Sequence, residues 1–261
     1  MVLSGNFEDE IEYMKQYIGF FFFISILTIA CSPNNVKSDA NIVKILDSAK
    51  LKGTFALMEN GSAEFTITNL SMYKDSAFAP LNTFFTVPSL IALDRGYINH
   101  TATSWVPTDS VAYYQSIIEK IGRADLLKVL DSMHYGKGII SKDLNSFWKD
   151  SSLRITPDEQ LGLIKKLYFN QLPFQKRSQD IYKQMILKEN NTSYKLSYVY
   201  GSDGSANDAN WIMGYVEENK HPYFFVMYVV DQNAQPKNKE ANTVAVLKSI
   251  LTQQGFLKGL R

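Results

Sequence analysis

Phe78-Ala79-Pro80-Leu81-Asn82-Thr83-Phe84-Phe85, followed by Ser89-Leu90-Ile91-Ala92-Leu93, stands at the entrance to the longest helical block of the chain. From about Thr83 to Met185, apolar residues recur at helical spacing, as in Tyr114, Ile117, Ile118 and Ile121, then Leu161, Ile164, Leu167 and Tyr168. Upstream, Gly53 to Met58 and Glu64 to Thr68 read as strands around Asn60-Gly61-Ser62, where Asn-Gly is expected to supply the positive φ values of a hairpin turn. Downstream, Ser193 to Tyr200, Trp211 to Val216 and Tyr223 to Val230 are short, aromatic or β-branched, and separated by turn residues, so they are expected to return to the sheet. A last helix places Val244, Leu247, Ile250 and Leu251 on one face and ends at Gly255. The order hairpin, helices, strands, helix predicts an α+β fold, an antiparallel sheet flanked by helices with a helical insertion.

Composition narrows the function classes. With 261 residues, 45% hydrophobic and 13% aromatic, the chain can bury a large core. Its 27 Lys plus Arg against 26 Asp plus Glu leave a net charge of +1 and no basic stripe, which argues against a nucleic-acid partner. The three His show no metal-ligand spacing and a single Cys allows no internal disulfide, so no metal and no cofactor are implied.

That cysteine is placed informatively. Ile18 to Ala30 is an apolar stretch too short to span a bilayer comfortably, preceded by Met14 and Lys15, and it reads as a signal peptide over residues 14–30. Leu27-Thr28-Ile29-Ala30-Cys31 resembles a loose lipobox, so Cys31 is expected to carry a lipid that holds the protein to the bacterial cell envelope. Leu lies one residue further from the Cys than the strict pattern has it; ordinary secretion is the alternative. Residues 1–13, with Glu8, Asp9, Glu10 and Glu12, do not suit the start of a signal, and Met14 is the better start. Residues 31–50 turn polar and are expected to form a tether, with folding from Leu51 and one domain over 51–261.

The opening stretch resembles the nucleophile segment of class D β-lactamases, which reads Tyr-x-Pro-Ala-Ser-Thr-Phe-Lys and then Leu-Ile-Ala-Leu. Gly53-Thr54-Phe55 resembles that family's opening strand, and Val111 to Gly122 its helix with Tyr114-Gln115. Tyr135-Gly136, Phe147-Trp148, Leu153 to Pro157, Gln171 to Phe174, Trp211, Gly214 and Val216 continue the match. The resemblance covers about residues 50–258 and implies a β-lactamase/transpeptidase-like fold.

It also implies where the chemistry would sit. The family attacks the lactam carbonyl with a serine and removes its proton with a lysine carbamate, set as Ser-x-x-Lys on one helix face. Those positions are Asn82 and Phe85 here, a carboxamide and a phenyl ring that can neither attack nor accept the proton. Thr83 is the nearest hydroxyl, turned about 100° away along a helix. The family's Ser-x-Val falls on Asp109-Ser110-Val111, so a carboxylate replaces the hydroxyl that relays the proton. Its Lys-Thr-Gly strand falls on Val199-Tyr200-Gly201, with only the glycine kept. Near the family's second carboxylate anchor, only Lys237 and Lys239 are cationic. Trp148 stands where the family's tryptophan steadies the carbamate, and its expected role here is to fill volume. Phe85 is expected at the mouth of a cleft, where a lysine would be tolerated.

Two classes of function follow. The favoured one is a non-catalytic, envelope-anchored domain that binds a ligand or partner. The alternative is a β-lactam-binding protein or weak hydrolase with a non-family nucleophile, or an enzyme on another substrate with Asp109 as base.

Overall fold

A computed structural model describes residues 35–98, 111–202, 209–232 and 238–259. Within them the chain runs β1 (Val36–Lys37), α1 (Ala40–Ser48), β2 (Leu51–Glu59), β3 (Glu64–Ile67), α2 (Leu70–Asp75), a 3-10 turn (Leu81–Phe85), α3 (Thr86–Asp94), α4 (Val111–Ile121) and α5 (Arg123–Met133). It continues through α6 (Pro157–Tyr168), α7 (Lys176–Met185), β4 (Leu187–Asn190), β5 (Lys195–Ser202), β6 (Ala209–Glu218), β7 (His221–Asp231) and α8 (Lys239–Gln253). The sheet has the strand order β1-β3-β2-β7-β6-β5-β4. All its pairings are antiparallel except the short β1–β3 contact.

Side-chain alternation explains why β6 and β7 read as nearly unbroken apolar runs. Trp211, Met213, Tyr215, Phe224, Val226 and Tyr228 face the layer of α3 to α7, whereas Ile212, Val216, Phe225, Met227 and Val229 face α1 and α8. Both faces are covered, so neither set of positions is polar. The helical side carries the larger core, and it is this side that holds the 3-10 turn against the sheet.

Local signals set the helix ends. Thr156 caps α6 in a reciprocal capping box with Glu159, with Pro157 opening the helix, Asp158 and Glu159 in its first turn and Lys165 and Lys166 in its last, each charge matching the helix dipole.

Two expectations need correction, and one strand lay outside them. Folding does not wait for Leu51: Asp39 caps α1 by accepting from the Asn41 amide at 2.8 Å, and Ile42 and Leu46, one turn apart, are buried against the sheet. The polar tether therefore cannot extend to residue 50. The β2–β3 turn takes its positive φ at Ala63 (53°) and not from Asn60-Gly61, because Glu59 pairs with Glu64 across a four-residue loop. Strand β4 was not legible, since it follows α7 directly with no turn residue between them. Asp109, Ser110, Cys31, His100 and Lys237 lie outside the described residues.

Candidate functional site

The site grows from the 3-10 turn. Pro80 sets its entry, and the Leu81 amide donates to the Trp148 carbonyl at 3.0 Å, fixing the turn to the helical layer. On the sheet side, β5 presses against the same turn at Gly201. A Cβ there would lie 2.4 Å from the Thr83 amide nitrogen and 2.8 Å from Thr83 Cγ2, so no other residue fits without displacing the backbone. This close approach gives the retained glycine a physical reason.

Between the turn, β4, β5 and α7 lies a cleft of about 260 Å³. Asn82, Phe85, Val199 and Tyr200, four of the positions singled out in the sequence, line it together. So do Thr86, Tyr114, Tyr182, Tyr198, Lys188 and Glu240. Val111, the first residue of α4, is instead half-buried against the main core.

Phe85 belongs to both cleft and core. It is 6% exposed, its ring stacks on Tyr114 with centroids 4.1 Å apart and 8° between planes, and it meets Trp148 edge-on at 5.3 Å. The expectation that it sits loosely at the mouth is corrected: the wall it forms is a packed one. Trp148 is 1% exposed among Phe84, Phe85 and Phe147, and it fills the space between the turn and the helical layer.

The hydroxyls near the turn are engaged. Thr83 is fully buried; its Oγ1 donates to the Pro80 carbonyl at 2.5 Å and accepts from Gln160 Nε2 at 2.9 Å. Thr86 Oγ1, also buried, accepts from the Tyr182 hydroxyl at 2.9 Å. The Tyr200 hydroxyl donates to Asn210 Oδ1 at 2.5 Å. Burial pushes the phenols of Tyr182, Tyr198 and Tyr200 above the ordinary tyrosine range, and the Glu240 charge adds to this at Tyr198 and Tyr200. Phenolate nucleophiles are thereby disfavoured at neutral pH.

Sequence reading missed Lys188, Tyr182 and Glu240. Lys188 supplies a cation to a cleft whose Lys-Thr-Gly positions, Val199 to Gly201, have none, its Nζ lying 5.4 Å from the centroid of the Tyr198 ring. The only signal for it would have been β4 itself. Among the described residues, no group of three or more His, Cys, Asp or Glu could hold a metal ion.

The chain belongs to the penicillin binding protein transpeptidase domain family, matched over residues 73–252, and to its class D β-lactamase branch. It is 32% identical over 200 residues to β-lactamase OXA-48 of Klebsiella pneumoniae, covering 68% of this chain and 75% of that one. The solved C-terminal domain of the Bacillus licheniformis BlaR penicillin-receptor superposes with a TM-score of 0.74 at 26% identity, covering 84% of this chain and 96% of that domain. The regulatory protein BlaR1 of the same organism is longer, and the match spans 38% of it. A class D β-lactamase from Bacillus subtilis superposes with a TM-score of 0.69 at 25% identity, over 80% of this chain and 94% of that one.

Proposed function

We propose that this protein is an exported lipoprotein of the bacterial cell envelope, anchored through Cys31, that binds a ligand or partner on a class D β-lactamase-like domain without acyl transfer. One observation carries the reading. The cleft wall formed by the 3-10 turn presents Asn82 and the packed ring of Phe85, while the neighbouring Thr83 hydroxyl is buried and bonded on both sides. Acyl transfer needs a nucleophile within reach of a base, and a carboxamide beside a phenyl ring supplies neither. The raised phenol pKa values of Tyr182, Tyr198 and Tyr200 make those three poor substitutes. What remains is a concave cleft with several aromatic side chains and, among the described residues, one cation and one carboxylate on its lining, suited to reversible binding.

The similarity to a penicillin-receptor domain makes ligand sensing a natural use of such a cleft, and β-lactams are the first ligands to try. The test is incubation of the purified full chain with a fluorescent penicillin, then denaturation and electrophoresis. The reading expects no label to survive denaturation. A surviving label that disappeared in Ser202→Ala would point instead to a non-family nucleophile, since Ser202 is the serine hydroxyl on the cleft lining.

A further inference from the structure

Strand β4 pairs with β5 through Leu187↔Ser197 and then Glu189↔Leu196, so Lys188 is an extra residue in the ladder. The exposure still alternates through the shift, Leu187 and Glu189 half-buried and Lys188 and Asn190 exposed. Lys188 stands at the solvent-facing edge of the cleft lining, with its ammonium 5.4 Å from the Tyr198 ring centroid. The adjacent carboxylate does not hold it: Glu189 pairs with Lys248 at 2.5 Å and accepts from the Tyr194 hydroxyl at 2.6 Å. Among the described residues Lys188 forms no ion pair. An ammonium left without a carboxylate partner at the edge of an aromatic cleft is a recognition element for a ligand anion.

The remaining lining sets the ligand's class. Phe85, Tyr114, Tyr198 and Tyr200 place aromatic side chains on the lining; Phe85 and Tyr114 are stacked on each other, so a ligand ring would meet edges and hydroxyls more than open faces. The volume of about 260 Å³ lies below the usual range for drug-sized ligands, so one or two fused rings fill it. Among the described residues no second cation lines the cleft, so a second negative charge on a ligand would find no partner there. We propose that Lys188, exposed at the edge of the cleft lining beside the β4 bulge, makes the cleft a site for a small aromatic monoanion, with the carboxylate on the ammonium and the ring among the cleft's aromatic side chains. The proposal rests on the reversible-binding reading given above and names the ligand class for that site.

The test is isothermal titration calorimetry of the full chain in detergent with three probes: 2-naphthoate, neutral 2-naphthamide and 2,6-naphthalenedicarboxylate. The expected result is saturable binding of 2-naphthoate about tenfold or more tighter than of the amide, as a charge-assisted contact gives, with the dianion weaker than the monoanion. Lys188→Gln is expected to bring naphthoate down to the amide's affinity and Lys188→Arg to keep most of the difference. Lys128→Gln, at a lysine 80% exposed on α5, is expected to change nothing. Added salt should weaken the naphthoate and leave the amide alone.

Lysine on an edge strand also serves simply to block further strand pairing. If that is all Lys188 does, Lys188→Gln binds naphthoate as the wild type does, and the proposal fails. Absence of saturable naphthoate binding overturns it as well. Neither result bears on acyl transfer, whose readout is covalent label after denaturation, so the two readings fail separately.

Discussion

Phe85→Lys separates the packed wall seen in the structure from the open mouth expected from sequence. Phe85 is 6% exposed, so removing its ring forfeits most of a full burial, about 2–3 kcal/mol. It also loses the stack on Tyr114 and the edge contact with Trp148, together about 1–3 kcal/mol. The lysine stem recovers part of this, about 1–2 kcal/mol, because the cleft lets the ammonium reach water while the methylenes lie along the aromatic wall. The net loss is about 1–5 kcal/mol, at or below the low end of the 5–15 kcal/mol typical of a whole domain, so the protein folds but is weakened. With a urea dependence of about 2–3 kcal/mol per molar, the midpoint should fall by about 1 M. Urea titration of wild type and variant, followed by tryptophan fluorescence, measures this directly. A fall of less than about 0.3 M would mean that the Phe85 ring contributes little, and the packed-wall description would be wrong.

Other outcomes are equally specific. Asn82→Ser with Phe85→Lys should label poorly with a fluorescent penicillin, because the Asp109 carboxylate is expected to hold the new lysine protonated and suppress carbamylation. Adding Asp109→Ser and Val199→Lys should give detectable acylation; equal labelling of the double and fourfold variants would show that Lys188 already suffices as the cation and that the charge argument at Asp109 is wrong. Metabolic labelling with a fatty-acid analogue should mark the wild type and spare Cys31→Ser, and equal labelling of both, or of neither, removes the lipoprotein reading. Hydrogen-bonded pairing with Lys176 and then Lys183 holds the Asp180 carboxyl well below the usual carboxylate range. A depressed folded-state pKa contributes stability that is full above the unfolded value of about 3.9 and is lost as pH falls through the folded one. Asp180→Asn should therefore cost under about 1 kcal/mol at neutral pH, this being a half-exposed group, with the gap to wild type narrowing below about pH 4. Urea midpoints at pH 7 and pH 3 test it, and a gap that widened in acid would reverse the sign.

The sheet and the helical layer were readable because their signals are dense. Trp211 to Val216 and Tyr223 to Val230 are apolar on both faces, and the α6 start carries cap, proline and acidic first turn together. The N-terminal boundary was misread although Asp39, Ile42 and Leu46 form a capped amphipathic turn, since the polar residues from Ser32 onward outweighed three spaced apolar ones. At the site, the identities at Asn82, Phe85 and Gly201 were legible, but their surroundings were not. That Phe85 both lines a cleft and stacks on Tyr114 depends on α4 packing across the turn. Lys188 was invisible for a different reason: it reaches the cleft lining only because β4 forms the edge of the sheet beside it, and a strand as short as Leu187–Asn190 leaves little mark in the sequence.

The central claim is that the cleft binds without forming an acyl-enzyme. Intact-mass spectrometry of the denatured full chain, after prolonged incubation with excess benzylpenicillin and bicarbonate, addresses it most directly. The account predicts the unmodified mass alone, with no hydrolysis of the penicillin above the buffer rate. An adduct of penicillin mass on the chain, located by peptide mapping to any residue of the cleft, would contradict it.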